Sequence, residues 1–307
     1  MHSHLYFMLP VNKKKSVSPQ VILLGLFFFL GLGLSGQSGE PLRVMSFNIR
    51  YANPGDGYNA WTHRKEMAAS MIRYHDADVV GLQEALRSQL DDLGNLLPGY
   101  EWFGVARSDG SLDPEPDSEF SAILYRTERL ERLDGGTFWL SENPDQTGST
   151  GWDAALPRIV TWAQFRDKLT NDTFYHFNTH FDHRGEEARR QSALLILEKI
   201  KELSEEDACV VLTGDFNCVP TDAPYLVLTE ETDEYPLLDA FLTTQQPHHG
   251  PESTWSGFDF PGEPGRRIDY IFVNDRVSVR RHAILSESWS GRFPSDHLPI
   301  LAELEMR

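Results

Sequence analysis

The sequence is poor in cysteine and lacks the short motifs of several common enzyme classes. Its 307 residues include two cysteines, Cys209 and Cys218, and no Cys-x-x-Cys or His-Glu-x-x-His segment, so a soft-metal site is not indicated. A Gly-rich phosphate-binding loop is absent, and the missing Gly-x-Ser-x-Gly turn argues against a serine hydrolase. If residues 209–218 are extended, the two cysteines lie about 30 Å apart, so we expect no disulfide between them.

Positive charge is also scarce. The chain has 28 Lys and Arg residues against 46 Asp and Glu residues, which gives a formal net charge of −18. An acidic surface repels phosphate polymers, so nucleic acid is a disfavoured partner. A small phosphate-containing substrate remains compatible, because a bound divalent metal ion can invert the local field.

Long apolar runs are absent except near the start of the chain. Residues 21–34 form an apolar stretch of 14 residues, which follows three lysines (13–15) and precedes small residues at 35, 36 and 38. This stretch is too short to span a bilayer comfortably, so it predicts a cleaved secretory signal over residues 1–36 and a mature domain over 37–307. The alternative is an uncleaved anchor or a misassigned start. Residues 1–36 carry three lysines and no acidic residue, so the net charge of −18 becomes −21 without them.

Short apolar runs predict buried strands, and many of them end in, or lead into, a polar side chain. The run at 209–212 leads to Asp215 and Asn217, which an extended chain places on the same side. Further strands are predicted at 42–49, 78–84, 136–140, 159–165, 173–181, 268–273 and 298–304, by apolar runs or by alternation. The polar residues at such strand ends are Asn48, Glu84, His180, Asp182, Asp215, Asn217, Asp269, Asp296 and His297. Turn-forming residues predict a loop at 53–57.

Helical spacing of apolar residues predicts helices at 62–74, 86–97 and 186–203. Strands and helices are mixed along the chain, no repeat or linker divides it, and the consecutive strands in the middle must pair antiparallel. The sequence therefore predicts an α+β domain in which two β-rich halves pack face to face with helices outside. A doubly wound parallel sheet fits this order less well.

Each strand-end residue also has an ordinary structural explanation. Asn48 can open a turn, Glu84 can stabilise the start of the next helix, and His180 can be a hydrogen-bonded core histidine. Taken together, carboxylates and amides are the hard ligands that suit Mg²⁺, and histidines beside carboxylates suit proton transfer. A shared metal and phosphoryl site therefore explains the whole set better than separate structural roles.

The same residues carry a resemblance that covers residues 42–304. Six short motifs, in this order, resemble the motif set of the endonuclease/exonuclease/phosphatase family, the DNase-I-like superfamily. They are Ser46-Phe47-Asn48, Gly81-Leu82-Gln83-Glu84, Asn178-Thr179-His180, Gly214-Asp215-Phe216-Asn217, Arg267-Ile268-Asp269-Tyr270 and Ser295-Asp296-His297. Three longer strings, at 137–141, 152–155 and 180–183, resemble an exported bacterial branch of that family.

The resemblance implies a four-layer α/β/β/α sandwich, in which two mixed, mostly antiparallel sheets are flanked by helices. It also implies a metal site in which Glu84 is the principal Mg²⁺ ligand, supported by Asn48 and Asp296. Mn²⁺ is a possible substitute for Mg²⁺.

The catalytic roles come from the same resemblance. Asp269 would hold His297, which activates water or binds a phosphoryl oxygen. Asp215 would position the attacking water or the leaving-group proton. Asn217 would donate a hydrogen bond to the phosphate, and His180 would stabilise the charge of the transition state.

Two further residues, Asp182 and Arg189, are candidates for binding the substrate. Together with His183 they closely follow His180 and are expected to line the substrate pocket, and Arg189 can grip a terminal phosphate. The alternative for Arg189 is an ion pair with Glu186 or with an acid of a nearby loop.

The leading functional hypothesis is a secreted or periplasmic, metal-dependent phosphoesterase that we expect to be monomeric and not inserted in a membrane. Its expected substrate is a phosphomonoester or a small phosphodiester, such as a phosphorylated sugar, inositol, nucleotide or lipid headgroup. The alternative is an endonuclease or exonuclease acting on DNA or RNA, which would need a basic groove. A non-catalytic binding module is disfavoured, because every acid, amide and histidine of the motifs is present.

Overall fold

The structure is a computed structural model that describes residues 40–230, 236–259 and 266–307. The predicted secretory signal at 1–36 lies outside the described residues. Within the described part of the chain, no helix combines the length and the apolar character needed to cross a membrane.

The described residues form twelve strands and five α-helices, together with a 3₁₀ helix at Pro54–Asn59. The strands are β1 (Leu42–Asn48), β2 (Val79–Gln83), β3 (Tyr100–Phe103), β4 (Ile123–Arg126), β5 (Leu130–Trp139), β6 (Ile159–Asp167), β7 (Thr173–His180), β8 (Cys209–Asp215), β9 (Leu238–Asp239), β10 (Asp269–Val273), β11 (Val277–Ile284) and β12 (Ile300–Met306). The helices are α1 (Trp61–Tyr74), α2 (Arg87–Leu96), α3 (Glu186–Leu203), α4 (Ala223–Thr229) and α5 (Ala240–Thr243).

The described strands form two six-stranded sheets with the same internal plan. Their orders are β11-β12-β1-β2-β4-β3 and β5-β6-β7-β8-β10-β9. Each sheet has one parallel pair near its centre, β1 with β2 and β7 with β8, and the other pairs are antiparallel. The prediction of two mixed, mostly antiparallel sheets is confirmed.

Alternation along the central strands sorts the apolar side chains into layers. In β1, Val44 faces the core between the two sheets, whereas Met45 faces the outer layer that contains α1 and α2. In β8, Val211 likewise joins the central core, and Val210 faces the layer of α3 and α4. Period-2 alternation of strands that are buried on both faces therefore builds the four-layer sandwich.

Several elements differ from the sequence-based expectation. The strand expected near residues 136–140 is the end of the ten-residue β5, whose first half is largely exposed and gave no apolar signal. The loop expected at residues 53–57 leads into the 3₁₀ helix that starts at Pro54. Cys209 and Cys218 are buried free thiols, as the expected distance between them requires.

A buried polar network joins the two sheets directly below the edge where the motif residues gather. Asn178 on β7 donates from Nδ2 to the carbonyl oxygens of Leu82 (2.9 Å) and Ala122 (3.0 Å) in the first sheet. Its Oδ1 accepts from Gln83 Nε2 at 2.7 Å. Since unpaired buried polar groups are costly, this network fixes the position of one sheet relative to the other.

Gly81 on β2 allows the close approach that this network needs. A Cβ atom at Gly81 would lie 2.1 Å from Thr213 Oγ1 and 2.4 Å from Asn178 Oδ1, well inside van der Waals contact. Gly94 in α2 provides a comparison, because a Cβ there would meet no atom within 4 Å.

We expect Gly81→Ala to lower the free energy of unfolding by about 1–3 kcal/mol, because the added methyl group overpacks the space between the sheets. Gly94→Ala should instead raise it by about 0.5–1 kcal/mol, because alanine is favoured over glycine in a helix. Urea unfolding of both variants and the parent protein at pH 7 measures the difference. Equal stability of Gly81→Ala and the parent would contradict the proposed packing.

Candidate active site

Four strands from the two sheets end at one edge of the sandwich, and polar side chains gather there. In the first sheet, Asn48 at the end of β1 pairs with Gln83 at the end of β2, so Glu84 lies just beyond that edge. In the second sheet, His180 at the end of β7 pairs with Asp215 at the end of β8. Because both pairs are parallel, their carboxyl ends lie side by side.

Two further segments reach the same edge, namely the start of β10 and the residues just before β12. Asp269 at the start of β10 pairs with Asp215. The segment before β12 reaches β1, where Ser295 Oγ donates to the carbonyl oxygen of Asn48 at 2.7 Å. His297 follows two residues later. The antiparallel pairings therefore complete a site to which both sheets contribute.

The Asn48 side chain connects carboxylates from the two sheets. Its Nδ2 donates to Glu84 Oε1 and to Asp215 Oδ2, each at 3.0 Å. Its Oδ1 accepts from the backbone N–H of Arg50 at 3.0 Å. All the polar atoms of this buried amide are thus engaged.

Three non-glycine residues at these strand ends have left-handed backbone conformations. The φ angles are +55° at Arg50, +59° at Glu84 and +48° at Asn217. Such conformations cost about 1–3 kcal/mol each and persist only where the surrounding structure enforces them. Glu84 is held by the backbone N–H of Tyr51, which donates to Oε2 at 3.2 Å. The fold therefore fixes the orientation of the Glu84 carboxylate, and local backbone strain is the cost.

His297 forms a buried dyad with Asp269, in which Nδ1 and Oδ2 are 2.9 Å apart. The other ring nitrogen, Nε2, lies 3.8 Å from Asp215 Oδ2. Burial opposes the charged imidazolium, but Asp269 and Asp215 outweigh it and raise the pKa of His297 well above its usual range. This imidazole is consequently a cation with its Nε2–H directed towards Asp215.

His180 has the opposite character. Its Nε2 is 3.5 Å from Asp215 Oδ2, while Nδ1, 4.0 Å from Glu119 Oε2, has no hydrogen-bond partner among the described residues. Burial, together with Arg158 and Arg107, lowers the pKa of His180 well below its usual range, so this imidazole is neutral.

Asp215 lies between the two imidazoles. Burial and the nearby Asp269 raise the pKa of Asp215 to about 7, against the lowering effects of His297, a backbone N–H and Asn48. The backbone N–H of Asn217 donates to Asp215 Oδ1 at 2.9 Å. A carboxyl group with a pKa near neutrality suits proton transfer in this position.

Ligand atoms of Glu84, Asp215 and His297 all lie within 4.8 Å of one another. The two carboxylates can hold a metal ion, whereas the cationic imidazole of His297 has no lone pair to offer it. Asp296 lies nearby, and burial followed by repulsion from Glu84 raises the pKa of its carboxyl group. A set dominated by carboxylates from both sheets fits a hard divalent cation, whose charge would relieve their repulsion. The residues present therefore fit the expected metal.

Of the three metal ligands predicted from the sequence, only Glu84 belongs to this cluster. Asn48 instead binds Glu84 through its amide nitrogen. The carboxylate of Asp296 faces Arg50, with 3.9 Å between Oδ2 and Nε. Asp215 and His297, expected to be catalytic, supply the other two members of the cluster.

The two expected substrate-binding residues are placed differently from each other. Asp182 is 1% exposed and does not line the pocket; its carboxylate accepts from the backbone N–H groups of Arg184 and Gly185, both at 2.9 Å. Burial raises its pKa, but these N–H groups and Arg158 outweigh burial and lower the pKa of Asp182 to about 2. Asp182 therefore organises the turn before α3. Arg189 does line the pocket, and no ion pair with Glu186 or another acid involves it within the described residues.

The pocket itself has a volume of about 650 Å³ and is lined by both sheets and by several loops. Arg107, Glu119 and Arg158 also line it, and the sequence contains no signal for them. Arg107 and Glu119 form a bidentate ion pair with N–O distances of 2.7 and 2.8 Å. These residues lie in connections without periodicity, so only the closure of the sandwich brings them together.

Comparison with known proteins agrees with this architecture. Residues 45–297 match the Endonuclease/Exonuclease/phosphatase family. An endonuclease/exonuclease/phosphatase structure from Bacteroides vulgatus is 44% identical, with a TM-score of 0.82, and the match covers 87% of this chain and 99% of that one. A mannosyl-6-phosphatase from Bacteroides thetaiotaomicron VPI-5482 is 39% identical, with a TM-score of 0.79, covering 86% of this chain and 99% of that one.

A more distant structure, the human Nocturnin catalytic domain with a bound sulfate anion, shares the fold at 22% identity. Its TM-score is 0.67, and the match covers 87% of this chain and 94% of that chain. With the six motifs gathered at one edge of a four-layer sandwich and a family match over most of its length, the chain belongs to the endonuclease/exonuclease/phosphatase family, whose members are hydrolases.

Proposed function

We propose that this protein is a phosphoesterase that depends on a divalent metal ion, with Mg²⁺ as the cofactor and Mn²⁺ as a substitute. Its proposed substrate is a phosphomonoester or a small phosphodiester. The observation that carries the proposal is the cluster of Glu84, Asp215 and His297, whose ligand atoms lie within 4.8 Å of one another in a pocket of about 650 Å³.

Glu84, with Asn48 and Asp296 beside it, would hold the metal ion. When bound, the ion would polarise a phosphoryl oxygen and neutralise charge that develops on the phosphate. The backbone around Glu84 and the amide of Asn48 keep these groups in place before any substrate arrives, so little reorganisation is needed.

The two histidines and Asp215 divide the proton chemistry between them. Asp215, whose pKa is raised to about 7 by burial and by Asp269, takes a proton from the water whose oxygen bonds to phosphorus. The P–O bond to the organic group breaks, and the leaving oxygen takes a proton from solvent. His297, kept cationic by Asp269, donates a hydrogen bond from Nε2 to an oxygen of the phosphoryl group. His180 is neutral, and it stabilises the same group by a hydrogen bond rather than by charge. Asn217 adds a donor, since only one of its Nδ2 hydrogens is used, in a bond to Phe181 O at 3.1 Å.

The organic part of the substrate has an aromatic surface beside it. Trp255 is 40% exposed, lines the pocket, and forms a backbone bridge with His297. A ring that stacks on Trp255 would therefore be held at a fixed distance from the reacting phosphate. The similarity to a mannosyl-6-phosphatase supports a phosphorylated sugar as the first substrate to test.

We also propose that residues 1–36 act as a secretory signal, so that the monomeric enzyme works outside the cytoplasm, either secreted or periplasmic. The three lysines at 13–15 and the apolar run at 21–34 support this proposal.

We expect Glu84→Gln and His297→Ala each to reduce kcat/KM for phosphoester cleavage by about 10²–10⁴-fold, because each removes a group that acts on the reacting phosphate. Glu131→Gln is the matched control, since Glu131 is exposed on β5 and pairs with Arg166 at 3.1 Å. Circular dichroism confirms that the variants are folded. Full activity of either variant, or of the parent enzyme in EDTA, would dismiss the mechanism.

Metal binding has a readout that is independent of activity. At a Mg²⁺ concentration of 100 times the Kd, the parent protein should gain about 2.7 kcal/mol of stability, measured as a rise in Tm. Glu84→Gln should lose most of this rise, whereas Glu131→Gln should keep it. A rise of the same size in Glu84→Gln would place the metal elsewhere.

Substrate class is tested with one panel: hexose 6-phosphates, inositol phosphates, sphingomyelin and supercoiled plasmid, each with Mg²⁺ and the purified mature protein. We expect the highest kcat/KM on the phosphomonoesters, because the net charge of −21 without residues 1–36 disfavours a polyanionic polymer. Plasmid nicking at lower enzyme concentrations than monoester hydrolysis would support a nuclease instead.

A further inference from the structure

Three cationic or proton-donating side chains form a group on the pocket wall that the proposed mechanism does not use. The group consists of Arg158, His183 and Arg189, arranged around the buried Asp182, and is called here the arginine cluster. Arg158 precedes β6, His183 follows β7, and Arg189 lies in the first turns of α3. Its members share no residue with the metal cluster of Glu84, Asp215 and His297.

Arg158 is 4% exposed and incompletely paired. Its Nε is 3.3 Å from Asp182 Oδ2, and its Nη2 is 3.0 Å from His183 Nδ1. Its Nη1 is buried without a hydrogen-bond partner among the described residues. A buried guanidinium with an unused donor is costly, so an anionic partner would stabilise this arrangement.

His183 presents a donor to the pocket. An arginine can only donate, so Nδ1 of His183 accepts from Arg158 and the ring proton lies on Nε2. The side chain of His183 is 42% exposed and lines the pocket.

Arg189 is also short of partners. Its Nη1 donates to the carbonyl oxygen of Asp182 at 3.0 Å, whereas its buried Nε has no partner within the described part of the chain. The carboxylate of Asp182 is already used by two backbone N–H groups and by Arg158. Arg189 reaches only the backbone carbonyl of Asp182, so the one buried carboxylate of this group pairs with Arg158 and not with Arg189.

Arg107, Glu119 and Asp222 also line the pocket, but they do not neutralise the arginine cluster by direct contact. Arg107 and Glu119 pair with each other. Asp222 accepts from the backbone N–H of Val219 at 2.9 Å and makes no ion pair within 4.0 Å among the described residues.

We propose that the arginine cluster is a second anion subsite, which binds a phosphoryl group other than the one that is cleaved. The preferred substrates are then small organic bisphosphates, in which one phosphate is hydrolysed and the other is held by Arg189, His183 and Arg158. This inference rests on the proposed phosphoesterase function. A pocket of about 650 Å³ is large enough for such a ligand. Planar guanidiniums are the side chains best suited to bind phosphate by two parallel hydrogen bonds.

The first experiment measures anion binding without catalysis. In EDTA, inorganic phosphate should raise the Tm of the mature protein, and Arg189→Gln should abolish at least half of that rise. Arg190→Gln is the matched control, because Arg190 is the next residue of α3, has a side chain that is 44% exposed, and pairs with Glu187 at 3.2 Å. Absence of a phosphate-dependent rise in the parent protein, or an equal rise in Arg189→Gln, would overturn the subsite.

The second experiment measures specificity with Mg²⁺ present. The ratio of kcat/KM for glucose 1,6-bisphosphate to that for glucose 6-phosphate should fall about 10- to 100-fold in Arg189→Gln, since a charged hydrogen bond to the second phosphate is lost. The ratio should stay unchanged in Arg190→Gln. An equal loss on both substrates would assign Arg189 to the phosphate being cleaved and would overturn the proposal.

The two experiments separate failure of this inference from failure of the proposed function. If the parent protein cleaves neither glucose phosphate nor any other member of the substrate panel, the phosphoesterase proposal fails, and the Tm shift with phosphate in EDTA still decides whether the anion subsite exists.

Discussion

The site depends on one carboxamide that holds two carboxylates from different sheets. Asn48 donates both of its Nδ2 hydrogens, one to Glu84 and one to Asp215, at 3.0 Å each. Two carboxylates this close repel each other, the more so because Asp215 is buried, and the amide offsets only part of that repulsion. A hard cation is the natural complement. The network of Gln83 and Asn178 below the site, together with the missing side chain at Gly81, sets the distance between the sheets that makes this arrangement possible.

Two histidines around a single carboxyl group then acquire opposite properties from their surroundings. His297 is paired with Asp269, whose charge raises its pKa, whereas burial and two arginines lower the pKa of His180. Asp215 lies between them, and its own pKa is raised to about 7 by burial and by Asp269. One cation, one neutral imidazole and one carboxyl group near its pKa provide distinct donor and acceptor functions at the same phosphate. Environment rather than residue type assigns these functions.

Much of this site could be predicted from the sequence, because its residues lie at strand ends. Asn48, Glu84, His180, Asp215, Asp269 and His297 each stand in a short motif next to an apolar run, and strands that are buried on both faces have a clear local signal. Residues in connections have no such signal. Arg107, Glu119 and Arg158 line the pocket from segments without periodicity, and the first half of β5 was missed because it is exposed. Asp182 has the motif position of a pocket residue, yet it is buried in the turn before α3.

The sequence by itself determined the family motifs, the two-sheet architecture and the set of polar residues at the strand ends, because alternation and local apolar runs encode each strand independently of the others. The tertiary structure alone decided which of those residues meet and how each one is charged. Asp215 and Glu84 are 131 positions apart, and their contact through Asn48 exists only when the two sheets pack. The pKa shifts of His180, Asp215 and His297 depend on burial and on neighbours from distant segments, and no local sequence pattern contains that information.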